Sequence, residues 1–165
     1  MGNLSHLPPH RSTHNFFKFE GLKKFFEEFY GVLLTFSPAA ADTLVHYFED
    51  TNTAPEDYDV IFTGDLGVVG TKLLYELLDR KGVDLRCRHS DCGTLIFNCG
   101  EQDVHAGGSG CGCSASVLCS YIMHRFEDKK LNNILFMSTG ALMSPTSAFQ
   151  GESIPGIAHL LNIKI

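Results

Sequence analysis

The sequence carries no surplus of positive charge: 13 Lys and Arg stand against 19 Asp and Glu, a formal net charge of −6. A basic field that neutralises phosphates is what draws proteins onto nucleic acid, so nucleic acid is not an expected partner. Long hydrophobic runs are missing as well. Stretches such as Gly31–Phe36 and Ile157–Leu161 fall far short of the ~20 apolar residues that span a bilayer. Met1–His14 holds Pro8, Pro9 and three histidines where a secretory signal needs a continuous apolar core, so the expected location is cytoplasmic. No Gly-Lys-Ser/Thr occurs, which excludes a P-loop. Cys87-x-His89-x-x-Cys92 offers soft ligands but lacks the paired Cys-x-x-Cys knuckle of a zinc site. No metal and no cofactor are expected. Six cysteines, at 87, 92, 99, 111, 113 and 119, would suit disulfides in a secreted chain; without an export signal free thiols are the expectation.

What is present is an ordinary globular composition, 44% hydrophobic and 19% charged over 165 residues, which fits one domain with a packed core. The first 36 residues differ in kind, carrying seven of the thirteen phenylalanines. Within them Leu22, Phe25, Phe26, Phe29, Tyr30 and Leu33 recur at helical spacing opposite Lys23, Lys24, Glu27 and Glu28, the pattern of an amphipathic helix. Its aromatic stripe needs a cover, from the chain's own core, a partner chain or a membrane surface. His6, His10 and His14 would align on a helix, but Pro8 and Pro9 interrupt it, so a flexible leader is expected. The chain therefore divides into an aromatic-rich leader, 1–36, and a domain, 37–165.

From Ser37-Pro38, which reads as an N-cap followed by proline at the first helical position, a helix is predicted over Pro38–Glu49. Tyr58–Thr63 reads as a buried strand, Val68–Arg80 as a helix stopped at Gly82. Two short strands, Leu85–Arg88 and Thr94–Phe97, are predicted next, then a helix from Ser114 to Lys129 and a strand from Asn133 to Ser138. A long Gly140–Pro155 loop and a last strand, Gly156–Ile163, complete the chain. The alternation implies an α/β fold, a mainly parallel mixed sheet covered by helices with the last strand antiparallel at one side.

The run His105–Ser114 places four glycines within six residues directly before a helix. Such a turn lets a ligand approach the backbone, and the helix start favours an anion; the alternative is that Gly107–Gly112 only permits a tight turn or close packing. Gly110-x-Gly112-x-x-Ala115 matches a permissive dinucleotide fingerprint but has no acidic partner about 20 residues on. Cys111 and Cys113 precede the helix, where a thiolate would be stabilised, although small buried thiols are the commoner use. The Gly140–Pro155 loop is long and rich in hydroxyls, as binding segments often are. The candidate ligand-binding residues are Gly108, Ser109, Gly110, Cys111, Gly112, Ser114, Gly140 and Ser144.

Taken in order, Pro38–Thr43, Asp57–Gly67, Asp91-Cys92-Gly93, Ala106–Ala115, Thr139–Pro145 and Gly151–His159 resemble the stage V sporulation protein AD family of endospore-forming bacteria, within the thiolase-like superfamily. The resemblance covers roughly residues 37–163. It implies half of a thiolase-like fold, the second of two similar halves, with the leader standing where the first half would be. It further implies a sporulation protein that binds dipicolinic acid (pyridine-2,6-dicarboxylate), or a similar small dicarboxylate, or assists its uptake into the developing spore. The implied partners are other stage V sporulation proteins at the spore inner membrane and, as for thiolase-like proteins generally, a second copy of the chain. Peripheral attachment at the forespore or spore inner membrane is compatible with this.

In condensing relatives the nucleophilic cysteine belongs to the first half. The second half supplies a histidine after the first strand and an asparagine or histidine in the glycine-rich turn. This sequence has Gly64-Asp65 and Gly110-Cys111-Gly112 at those places, which implies a pseudo-enzyme. An acyl-transfer enzyme using Cys111 or Cys113, and a fragment that works only by assembly through the aromatic stripe of Phe16–Leu34, are the competing readings.

Overall fold

The computed structural model describes residues 36–98, 100–108, 110–141 and 156–165, together with Thr146 and Gln150. The chain divides into two units, Met1–Tyr30 and Gly31–Ile165, and every described residue belongs to the second. The leader helix, the three leader histidines and most of the Gly140–Pro155 loop lie outside the described residues.

Helix α1 covers residues 36–51 and ends at Asn52, whose φ of +52° turns the chain out of the helix. A 3-10 turn, Pro55–Asp57, leads to strand β1, Val60–Thr63. Helix α2 follows at Gly67–Asp79, then strand β2 at His89–Asp91 and the short helix α3 at Cys92–Leu95. Helix α4, Cys113–Val117, continues through a π-helical turn, Leu118–Ile122, into α5, Met123–Glu127. Strands β3, Asn133–Ala141, and β4, Gly156–Lys164, complete the order.

The four strands form one sheet in the order β2-β1-β3-β4. β1 pairs in parallel with both β2 and β3, with Phe62 opposite Ser90 and Phe136; β3 pairs antiparallel with β4, Met137 opposite Leu160. The mostly parallel sheet with an antiparallel edge strand is the predicted one.

Alternation along the strands makes two cores. Ile61, Leu135 and Met137 face α1 and α2, where Leu44, Leu74 and Leu78 are fully buried. Phe62, Ile134 and Phe136 face the other way, onto Val117, Ile122 and Phe126 of the α4–α5 segment. Period-two side chains on a sheet with helices on both faces give three layers, which is why β1 reads as a continuous apolar run. The Thr43 hydroxyl donates to Ala158 O at 3.1 Å, tying α1 to β4.

Two predictions needed correction. Ser37 is not a cap: Phe36 is already helical, and the fully buried Ser37 hydroxyl donates instead to Gly70 O, 2.9 Å away, joining α1 to α2. Nor are Leu85–Arg88 and Thr94–Phe97 strands. The first is a turn, closed by Arg88 N–H to Leu85 O at 2.8 Å. In the second, Asp91 accepts from Thr94 N–H at 3.2 Å while the Thr94 hydroxyl returns to Asp91 O at 2.8 Å. This reciprocal cap bends 92–95 into a helix. The strand lies between them, in His89-Ser90-Asp91, too short and too polar for an apolar-run criterion to detect.

Candidate functional site

The glycine-rich run joins α3 to α4 and is pinned at three points. Ala106 O accepts from Val68 N–H at 2.7 Å, Gly93 O accepts from Gly108 N–H at 2.7 Å, and Gly110 N–H donates to Asp65 Oδ2 at 3.2 Å. Its glycines divide into two kinds. A Cβ on Gly108 would stand 2.4 Å from the Phe97 ring, so this residue serves close packing, the structural alternative in the sequence reading. At Gly110, with φ +147°, and at Gly112 a Cβ would meet nothing within 4 Å. These two glycines face open space.

That space is a pair of adjoining clefts. One, of about 530 Å³, is lined by Gly108, Gly110, Cys111 and Gly112 together with Ile96 and Phe97. The other, of about 500 Å³, lies between the turn and β3, with Phe36 and Phe136 as apolar walls and Gly110, Cys111, Ser114, Thr139 and Gly140 around them. Six of the predicted site residues therefore line one cleft or the other, and Gly110 and Cys111 line both. Ser109 and Ser144 lie outside the described residues.

The polar side chains sit where β1, β2 and β3 end, the edge at which open α/β sheets bind ligands. Asp65 follows β1; its Oδ1 accepts from the Thr139 hydroxyl of β3 at 2.8 Å and its Oδ2 from Gly110 N–H. The ends of β1 and β3 and the glycine-rich turn are thus in contact here through Asp65, an arrangement that sequence reasoning missed. Its signal was positional: Gly64-Asp65 and Thr139-Gly140 each stand at the end of a predicted parallel strand.

Asp91, at the end of β2, is 2% exposed and accepts from the Thr63 hydroxyl (2.7 Å), Leu66 N–H (2.9 Å), Gly67 N–H (2.8 Å) and Thr94 N–H. Burial pushes its carboxyl up, while the Thr63 hydroxyl and the backbone donors pull the other way. Since the Thr63 proton is spent on Asp91, Thr63 Oγ1 must accept from His89 Nε2–H at 2.9 Å. His89 Nδ1 then accepts from the Tyr75 hydroxyl at 2.9 Å. Desolvation lowers the His89 pKa to about 4, so the ring is neutral at pH 7.

Two of the thiols, Cys92 and Cys113, are poorly placed as nucleophiles. Cys113 is buried, and burial, followed by the nearby Asp65 and Asp91 charges, raises its pKa. Cys92 is raised to about 12, again first by burial. Both effects work against a thiolate at the helix start. Cys111 is exposed. The Cys87-x-His89-x-x-Cys92 residues separate: Cys87 is exposed, Cys92 is fully buried, and both nitrogens of His89 have partners. Among the described residues no three His, Cys, Asp or Glu side chains come together as a metal would require.

An open, mostly parallel sheet with one antiparallel edge strand, helices on both faces and a glycine-rich crossover beside the strand ends defines an α/β protein consistent with half of a thiolase-like fold. The family model for stage V sporulation protein AD matches residues 31–164, and the chain belongs to that family. It is 47% identical to stage V sporulation protein AD of Bacillus subtilis (strain 168) over 123 residues, which are 74% of this chain and 36% of that relative. The chain thus spans about a third of the length of the curated relative it matches. Among the described residues no helix is long and apolar enough to cross a membrane.

Proposed function

We propose that this sporulation-family chain is a non-catalytic cytoplasmic accessory protein that holds dipicolinic acid or a similar small aromatic dicarboxylate, or assists its uptake into the developing spore. The observation that carries this reading is the cleft between Phe36, Phe136 and the glycine-rich turn, whose volume of about 500 Å³ suits a single-ring ligand. The ligand's ring would lie against the edges of Phe36 and Phe136 that reach the cleft. The Gly110 amide is already taken by Asp65, so a ligand carboxylate would be received by the amides opening α4. The first helical bond there runs from Ser116 N–H to Gly112 O, 2.9 Å, which leaves the N–H groups of Ser114 and Ala115 without a carbonyl inside the helix. Holding rather than transforming is supported by Cys113, whose burial disfavours the thiolate that acyl transfer would need.

Assembly with a second copy, or with other stage V sporulation proteins at the inner membrane, belongs to the same proposal. Its support is an exposed apolar groove that contains Leu95, Ile96 and Tyr121.

Calorimetric titration of the full chain with dipicolinate tests the ligand. Binding is expected for the natural sequence and is expected to be lost in Cys111→Phe, which places a ring in the opening that both clefts share. No heat at millimolar dipicolinate, or undiminished binding by the variant, would overturn the proposal.

A further inference from the structure

The opposite end of the sheet, where β1, β2 and β3 begin, carries a third cleft, of about 430 Å³, with a different chemistry. Arg88 stands directly before β2, Lys130 directly before the turn into β3, and Arg125 on α5 reaches the same opening. Three cations in one concavity run against the net charge of −6 carried by the whole chain. The one carboxylate on the wall, Asp59, is already committed. Its Oδ2 accepts from Asn132 N–H and Asn133 N–H at 2.6 and 3.0 Å; these bonds first, and the nearby Arg88 charge after them, hold its pKa below the usual range.

Among the described residues neither Arg88 nor Arg125 forms an ion pair with a carboxylate, so both guanidinium forks have donors to spare. Arg125 is nonetheless held in place. It lies over the Tyr121 ring at 4.9 Å from the centroid and donates to the Tyr121 hydroxyl at 2.8 Å. Tyr121 sits in the π-helical turn, an irregularity often found at functional positions. The Lys130 ammonium pairs with Asp128 at 2.8 Å, but both side chains are more than half exposed, so the pair yields readily to a ligand. Between the cations the wall is mostly polar; Val60 is half-buried there, Phe62 and Leu131 lie buried behind it, and the exposed Tyr121 ring is its largest apolar surface.

We propose that this cleft is a second ligand site, for a small planar aromatic carboxylate. The carboxylate would be taken by the Arg88 and Arg125 forks, and its ring would lie against Tyr121. Planar forks recognise a planar carboxylate in two-point fashion, and the Tyr121 ring, 40% exposed, rewards contact with a second ring where a fully hydrated inorganic anion gains nothing. The inference goes beyond the dipicolinate reading: the two clefts lie at opposite ends of the strands and share no residue.

The test is an NMR titration of the ¹⁵N-labelled full chain with isophthalate (benzene-1,3-dicarboxylate), with inorganic phosphate as the competing probe. Millimolar isophthalate is expected to shift the Arg88 and Arg125 Nε–H signals. Arg125→Gln is expected to weaken binding about tenfold or more, and Cys111→Phe to leave it unchanged. If Arg125→Gln does not fold, Arg88→Gln, which alters an exposed side chain, gives the same readout. The proposal is overturned if the arginine signals stay still, if equal phosphate displaces isophthalate, or if the arginine variants bind as tightly as the natural sequence. Loss of the isophthalate effect in Cys111→Phe would also overturn it, by placing the binding at the other end of the sheet. Failure of dipicolinate to bind at the glycine-rich clefts leaves these outcomes unaffected, so the two readings fail separately.

Discussion

Asp91 and Asp65 occupy equivalent corners of the sheet, each at the end of a parallel strand beside the glycine-rich crossover, yet they are used differently. Asp91 is 2% exposed and faces inward, satisfying a hydroxyl and three backbone N–H groups, two of which open the turn at Leu66 and Gly67. Asp65 is 9% exposed and lines a cleft, bridging Thr139 and Gly110 across the gap between β3 and the turn. The first shapes the loop from behind; the second forms part of the surface that a ligand would meet. A buried carboxylate with several donors is a structural centre, whereas one at a cleft wall sets the electrostatics of whatever enters.

The sharpest way to break this comparison is Asp91→Ala. It leaves the buried amides of Leu66 and Gly67 without acceptors, and each such loss costs ~1–3 kcal/mol. A fall in unfolding free energy of about 4 kcal/mol is expected, measured by urea denaturation, with a much smaller fall for Asp91→Asn, which keeps one acceptor oxygen. A loss below ~1 kcal/mol for Asp91→Ala would show that the carboxylate is not the centre of the loop.

The next effect belongs to His89, linked to Asp91 through Thr63. Above pH 6.5 the imidazole is neutral in both folded and unfolded chains, and its contribution to stability is constant. Below that value the unfolded chain takes up a proton that the half-buried, desolvated folded ring resists down to about pH 4. Stability is therefore lost as pH falls from 6.5 towards 4, by on the order of 3 kcal/mol in all, and changes no further from this group below that window. Urea midpoints across this range should fall for the natural chain and fall less for His89→Gln. Parallel curves would sink the assignment.

Most of the fold was legible in the sequence because burial on both faces leaves a strong mark. The apolar run before Thr63, the Leu73, Leu74, Leu77 and Leu78 periodicity and the last edge strand all carried their own signal. β2 was not legible: its three residues, His89-Ser90-Asp91, are polar because their side chains serve a hydrogen-bond network rather than an apolar core. The site was legible as a position more than as chemistry. Glycines 108, 110 and 112 fall in the same run, but only their surroundings separate the one packed under Phe97 from the two facing open space. The Asp65 to Thr139 contact spans 74 residues of chain, and no local pattern encodes it.

The smallest expected change in stability, and the most informative about function, comes from Asp65→Asn. The amide keeps an oxygen to accept from Thr139 or Gly110, so the fold should lose no more than about 1 kcal/mol, in contrast to Asp91→Ala. What it removes is one negative charge from the cleft wall. A dicarboxylate entering the clefts meets that charge at short range, where a unit charge pair still interacts by a few kcal/mol even with substantial screening. Dipicolinate affinity in Asp65→Asn is therefore expected to rise by roughly tenfold, read by the same calorimetric titration. An unchanged affinity would mean that the ligand does not pass Asp65, and with that the glycine-rich turn would lose its claim as the binding site even though the fold around it stands.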